Sequence, residues 1–159
     1  MSYLLNKTWK QIEDNTEDIC ASAYLTPPFD TPSVGTSYTR VLGAFVNKCF
    51  EGFELDGSDR LLYNPDDGVT RTLKLDWSGV VAVNTTGNTV YVAIEKNGTE
   101  IGGSVGTAFA KVSGEPYILG AVTSVELAPD DYIEIVVKLA TGTYTVTVSE
   151  LSTTLSKMN

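Results

Sequence analysis

Residues 90–104, VYVAIEKNGTEIGGS, decide how the chain is to be read. Val90, Val92 and Ile94 alternate with Tyr91, Ala93 and Glu95, the period of two that a β-strand imposes on its side chains. Asn97-Gly98 then supplies the pair that most readily adopts positive φ, and the chain turns back. A hairpin is predicted here. Its first strand carries Tyr91 and Ala93 on the face away from the core, where water alone would not ask for them. Three uses of that face stay open: ordinary surface, contact with another copy of the same sheet, or a ligand site.

Outward from this hairpin the alternation continues. Candidate strands cover 40–46, 48–55, 60–63, 70–77, 79–83, 89–96, 100–105, 107–112, 116–127, 132–139 and 142–155. Between them lie DGSD, NPDDG, NTTGN, KNG, SGEP, APDD and ATG, whose Gly, Pro, Asn and Asp suit the special dihedrals of turns. In 132–139, Ile133, Ile135, Val137 and Leu139 share one face, and Tyr132, Glu134, Val136 and Lys138 share the other. In 142–148, Tyr144, Val146 and Val148 oppose Thr143, Thr145 and Thr147. No stretch after residue 25 has a helical period. Many short strands with frequent turns predict an all-β sandwich or barrel rather than a parallel sheet.

The first 36 residues read differently. Trp9, Ile12 and Ile19 fall on one stripe of a short helix that Thr8 would cap, but so short and polar a helix needs a surface to lie on. LTPPFDTPSVGTS follows, and its prolines bar a helix and a central strand. The proline-rich stretch reads as an arm or an edge segment, so the expectation is an extended arm over 1–36, with at most one short helix, and a sandwich over 37–159.

Composition bounds the function. The chain has 159 residues and a net charge of -9, with an apolar share of 42%. A chain this long buries roughly 68–70% of its unfolded surface, enough for one core. So acidic a surface is a poor partner for nucleic acid. No apolar run approaches the roughly 20 residues of a membrane span. The opening MSYLLNKTWKQIEDNTED turns acidic where a secretory signal would stay apolar. Cys20 and Cys49 are read as free thiols of a reducing cytosol, with a bridge between them left possible. Asn84-Thr85-Thr86 and Asn97-Gly98-Thr99 fit the glycosylation pattern but read as turns.

Chemistry is sparse. The chain has no histidine, which removes the usual base near neutral pH and the usual metal ligand. Two cysteines far apart make no zinc site. GGSVG lacks the lysine of a phosphate loop and sits between strands. Glu54, Asp56, Asp59, Asp66, Asp67, Asp130 and Asp131 cluster in turns, where an aspartate bonds its own backbone; a calcium site is the lesser reading and catalysis the least. No cofactor or resident metal is expected. The residues point to an acidic, non-enzymatic all-β module.

Two runs extend this: YNPDDGVTRTLKLDWSGVVAVNTTGNTVYVAIEKNGTEIGGSV, and VELAPDDYIEIVVKLATGTYTVTVSELSTTL. Their order and spacing over residues 37–156 resemble the jelly-roll module of bacteriophage virion proteins, similar in shape to the tumour necrosis factor and complement C1q heads. The parts that carry the resemblance are the threonine-rich entry TRTLKLDWSG, the strand ending Ala93 to Thr99, and Asp131 to Ile135. The resemblance implies an antiparallel two-sheet jelly roll that forms a homotrimer, with Tyr91, Ala93, Tyr132 and Val136 lining the threefold axis. It implies a virion protein: a capsid decoration or cement protein that docks on the major capsid protein or another virion protein. Tyr3, Leu4, Trp9 and Ile12 of the arm are the expected docking residues. The alternative is the receptor- or carbohydrate-binding head of a short tail or head fibre, with a host glycan as partner. A polysaccharide-cleaving enzyme would have only scattered carboxylates to use.

Overall fold

The computed structural model describes residues 20–25, 29–41, 45–58 and 60–158. Among these there is no helix; two antiparallel sheets pack face to face. Strands are numbered along the chain. Sheet A holds β1 (Cys20–Leu25), β2 (Phe29–Val34), β4 (Phe45–Glu51), β7 (Arg71–Val83), β11 (Pro116–Leu127) and β13 (Tyr144–Lys157). Sheet B holds β3 (Thr39–Arg40), β5 (Phe53–Leu55), β6 (Leu61–Tyr63), β8 (Asn88–Lys96), β9 (Thr99–Glu100), β10 (Gly106–Ala110) and β12 (Tyr132–Leu139). The orders are β4-β1-β13-β7-β11 and β5-β6-β12-β8-β10, with β2 beside β13, β3 beside β12 and β9 beside β8. This is the expected jelly roll.

The alternation places the core. Leu73, Leu75, Trp77, Val81 and Val83 of β7 face inward against Val90, Val92 and Ile94 of β8 and Ile133, Ile135 and Val137 of β12. Trp77 lies in this core as its alternation predicts, and its indole nitrogen donates to Ser104 O at 2.7 Å. That bond explains GGSVG. Ser104 is fully buried, with its hydroxyl bonded to both Ile94 N and Ile94 O. A Cβ on Gly106 would stand 2.9 Å from the Trp77 ring, so this run makes room for the indole.

Two expectations change. The stretch expected to be an extended arm or edge segment over 1–36 contributes two strands. β1 is a central strand between β13 and β4, and β2 pairs with β13. The reason is that CASAYL alternates with small residues, Ala21 being fully buried, so its apolar signal is faint. The prolines do mark an edge. β2 carries Pro32 where the register on β13 shifts, and Ser33 there has φ 58°. The second change is in β7, one continuous strand where a break at Ser78 was expected.

The short helix expected on Trp9, Ile12 and Ile19 lies outside the described residues. Cys20 is paired with Glu51 and Cys49 with Ser22, so the two cysteines sit diagonally on neighbouring strands. Diagonal Cα atoms are about 7–8 Å apart, beyond the usual Cα spacing of a disulfide.

Candidate functional site

The sandwich has two outer faces, and they differ in kind. On sheet B, Tyr91, Ala93 and Glu95 of β8 lie beside Tyr132, Glu134, Val136 and Lys138 of β12, with Ala93 opposite Val136 and Glu95 opposite Glu134. The chain closes this face itself. Lys138 Nζ lies 4.0 Å from the centre of the Tyr38 ring and 5.5 Å from that of Tyr91. The Arg60 guanidinium lies 3.9 Å over the Tyr132 ring, while its other side forks onto Asp56. Tyr38 donates its hydroxyl to Glu100 Oε2 at 2.6 Å.

The expected interface residues therefore fall into two groups. Ala93 and Val136 are 0% and 2% exposed in a single chain, so neither has surface to give a partner. Tyr91 and Tyr132 are half-buried under cations of their own chain. Against the second face of the opening hairpin lie this chain's own Tyr38 and Lys138, while Arg60 covers Tyr132 on the neighbouring strand. The docking residues expected in the arm, Tyr3, Leu4, Trp9 and Ile12, lie outside the described residues.

Electrostatics on this face follow from the packing. Burial, then the bond to Glu100, pushes the Tyr38 hydroxyl well above its usual range. Burial, then the charges of Glu134 and Glu100, raises the Glu95 carboxyl, against the opposing pull of Lys138. The turn aspartates behave otherwise. Asp67 is held low by hydrogen bonds from Arg71 and the Val69 amide. Burial opposes the charge of Asp56, but Arg60 and two backbone amides outweigh it. These aspartates tie their own turns together, as the sequence suggests.

Sheet A offers the other face. On β11 the even residues point out: Ile118 is 84% exposed and Val122 60%. Ile118 pairs with Val80, Gly120 with Ser78 and Pro116 with Ala82. Across β7, these rows continue into Thr147, Ser149 and Ser152 of β13. These rows carry charge at Glu150, the exposed bulge residue between Ser149 and Ser152, and at Asp30 on the margin; Asp76 stands opposite Val122, with Lys74 beyond it. β11 pairs with β7 alone among the described strands, so twelve residues of backbone edge lie open beside Ile118 and Val122. Phe109 and Val112, 52% and 57% exposed, belong to sheet B's edge strand β10 and the turn after it. Sequence reasoning passed over the apolar strip on β11. The signal was there in PYILGAV, where both alternating rows are apolar or small.

No family model and no curated protein sequence matches the chain. Among solved structures, Eiger TNF from S. frugiperda superposes with a TM-score of 0.63 over 90% of this chain and 94% of that one, at 9% identity. The sandwich has a tumour-necrosis-factor-like fold. Two crystal structures of murine APRIL, at pH 8.5 and pH 5.0, align more loosely, with TM-scores of 0.47 and 0.48 at 17% identity over 82% of this chain and 98% of theirs. At 9% identity the Eiger likeness is one of fold.

Proposed function

We propose that the chain is a non-enzymatic structural module that assembles into a homotrimer through sheet A, and that it serves in a phage virion as a decoration protein attached through its N-terminal residues. The observation that carries the assembly is the edge of β11, which pairs with β7 alone among the described strands and has Ile118 and Val122 exposed beside it. A long, apolar, unpaired edge strand invites association unless it is covered. The strip and the hydroxyl-lined face of β13 are different patches on one molecule. Joining one to the other is a heterologous contact, which closes as a ring of three when each step turns the chain by a third of a circle and otherwise runs on as a filament. The number three, and the virion, come from the resemblance of residues 37–156. On this reading Ile118 and Val122 make the interface, in preference to the Tyr91, Ala93, Tyr132 and Val136 that the resemblance implies.

Light scattering of the pure protein should return three times 17.1 kDa. A monomer at micromolar concentration would overturn the assembly. Attachment is tested on the full chain: Leu4→Ala with Trp9→Ala should leave a trimer that no longer decorates particles. Undiminished decoration would move the docking site elsewhere.

A further inference from the structure

Asn97-Gly98 is the one Asn-Gly pair in the chain. A glycine after asparagine leaves the backbone nitrogen free to reach the side-chain amide, since no Cβ stands in the way. Asn97 and Gly98 have φ of 51° and 77°, and both are exposed. The tip is nevertheless tied down. Asn97 N donates to Tyr132 O at 3.0 Å, Nδ2 donates to Asp131 Oδ1 at 2.6 Å, and Oδ1 accepts from Tyr132 N at 3.0 Å. Asp131 is anchored in turn by Ala128 N at 2.8 Å and Lys96 Nζ at 3.2 Å. Lys96 also donates to Glu126 O at 2.9 Å. Since β11 ends in sheet A at Leu127 and β12 begins in sheet B at Tyr132, the hairpin tip staples the two sheets at one end.

We propose that Asn97 is a self-modification site, with water as its co-reactant, and that the modification releases this staple. The Gly98 backbone nitrogen attacks Asn97 Cγ. A C–N bond forms, the Cγ–Nδ2 bond breaks, and ammonia leaves with the amide proton. Water then opens the cyclic imide at either carbonyl to give aspartate or isoaspartate; nothing is oxidised or reduced. In aspartate, the donor that met Asp131 is replaced by a carboxylate oxygen, so a hydrogen bond becomes a contact of like charges. In isoaspartate the main chain also gains a carbon, and the paired bonds to 131 and 132 no longer match. While the staple holds, both side-chain atoms of Asn97 are engaged and the amide is kept from the Gly98 nitrogen. Conversion therefore waits on local opening, and then prevents reclosure.

The test incubates the full chain at mildly alkaline pH, native and in urea, and follows peptide 97–111, released by cleavage after Lys96 and Lys111, by mass spectrometry. Asn97 should convert at least roughly tenfold more slowly in the native chain, the protection given by about 1.4 kcal/mol of opening free energy. Asp131→Ala, shown folded by circular dichroism, should convert at close to the urea rate. Asn97→Asp should melt below the parent. Equal rates in native and unfolded wild type overturn the protection, whether or not Asp131→Ala folds. An unchanged melting temperature for Asn97→Asp overturns the release.

Discussion

Thr153 turns a hydroxyl into the core opposite Trp77, is 1% exposed, and finds no hydrogen-bond partner for Oγ1 among the described residues. An unsatisfied buried hydroxyl costs about 1–3 kcal/mol. Thr153→Val should raise stability by about 1 kcal/mol, read as a higher urea midpoint with unchanged slope. Two carboxylates give opposite pH signatures. Folding raises Glu95 and so favours its protonated form. Glu95 thus weakens the fold at neutral pH, and the penalty fades as pH falls through the raised folded value toward the ordinary value of about 4.3. Glu95→Gln should melt above the parent at neutral pH, with the gap closing in acid. Asp67 is depressed, so its stabilisation is present above about 3.9 and is lost as pH falls through its lower folded value. Asp67→Asn should melt below the parent at neutral pH and match it in acid. The role of Asp67 was legible, because a turn aspartate bonds atoms two and four positions away. The crowding of Glu95 by Glu134 was not, because it depends on the register of β8 on β12.

Strands 116–127 and 132–139 could be read off the alternation to the residue. β13 could be located but not followed. Its inward row begins with Val146 and Val148 and resumes with Leu151, Thr153 and Leu155, a change from even to odd. The cause is a bulge. The register on β7 slips between Ser149 and Ser152, and Glu150 takes φ 53°. One added residue exchanges the two faces of everything after it. Leu151 then presses on Gly79, where an added Cβ would stand 2.7 Å from Leu151 Cδ1 and 3.4 Å from its Cα. Hence the break suspected near Gly79 is a contact point within one strand. Gly79→Ala should cost about 1–3 kcal/mol through overpacking. In a double-mutant cycle, Leu151→Ala should recover part of that loss; strict additivity of the two would refute the contact.

The assembled fold reveals an asymmetry between its outer faces. Sheet B shields itself with Tyr38, Arg60 and Lys138, whereas sheet A leaves Ile118 and Val122 exposed beside an edge that no described strand pairs. Ile118→Glu with Val122→Glu should convert a trimer to monomers on a sizing column while leaving the far-ultraviolet spectrum unchanged, because both side chains point away from the core. Placing a buried partner face on Tyr91 and Tyr132 had followed from asking which outward residues look too apolar for water. The shields that answer that question come from Tyr38 and Arg60, far away along the chain.

Alternation and turn chemistry were enough to establish an antiparallel β-sandwich, most of its strands and most of its core. These are local properties: each depends on residues a few positions apart, and a period of two survives whatever the chain packs against. Which outer face is left open, where the bulge in β13 swaps its rows, and that Cys20 begins a central strand were decided only by the packed sheets. Each is a matter of register or cover between segments distant along the chain, which the alternation within any one segment does not encode.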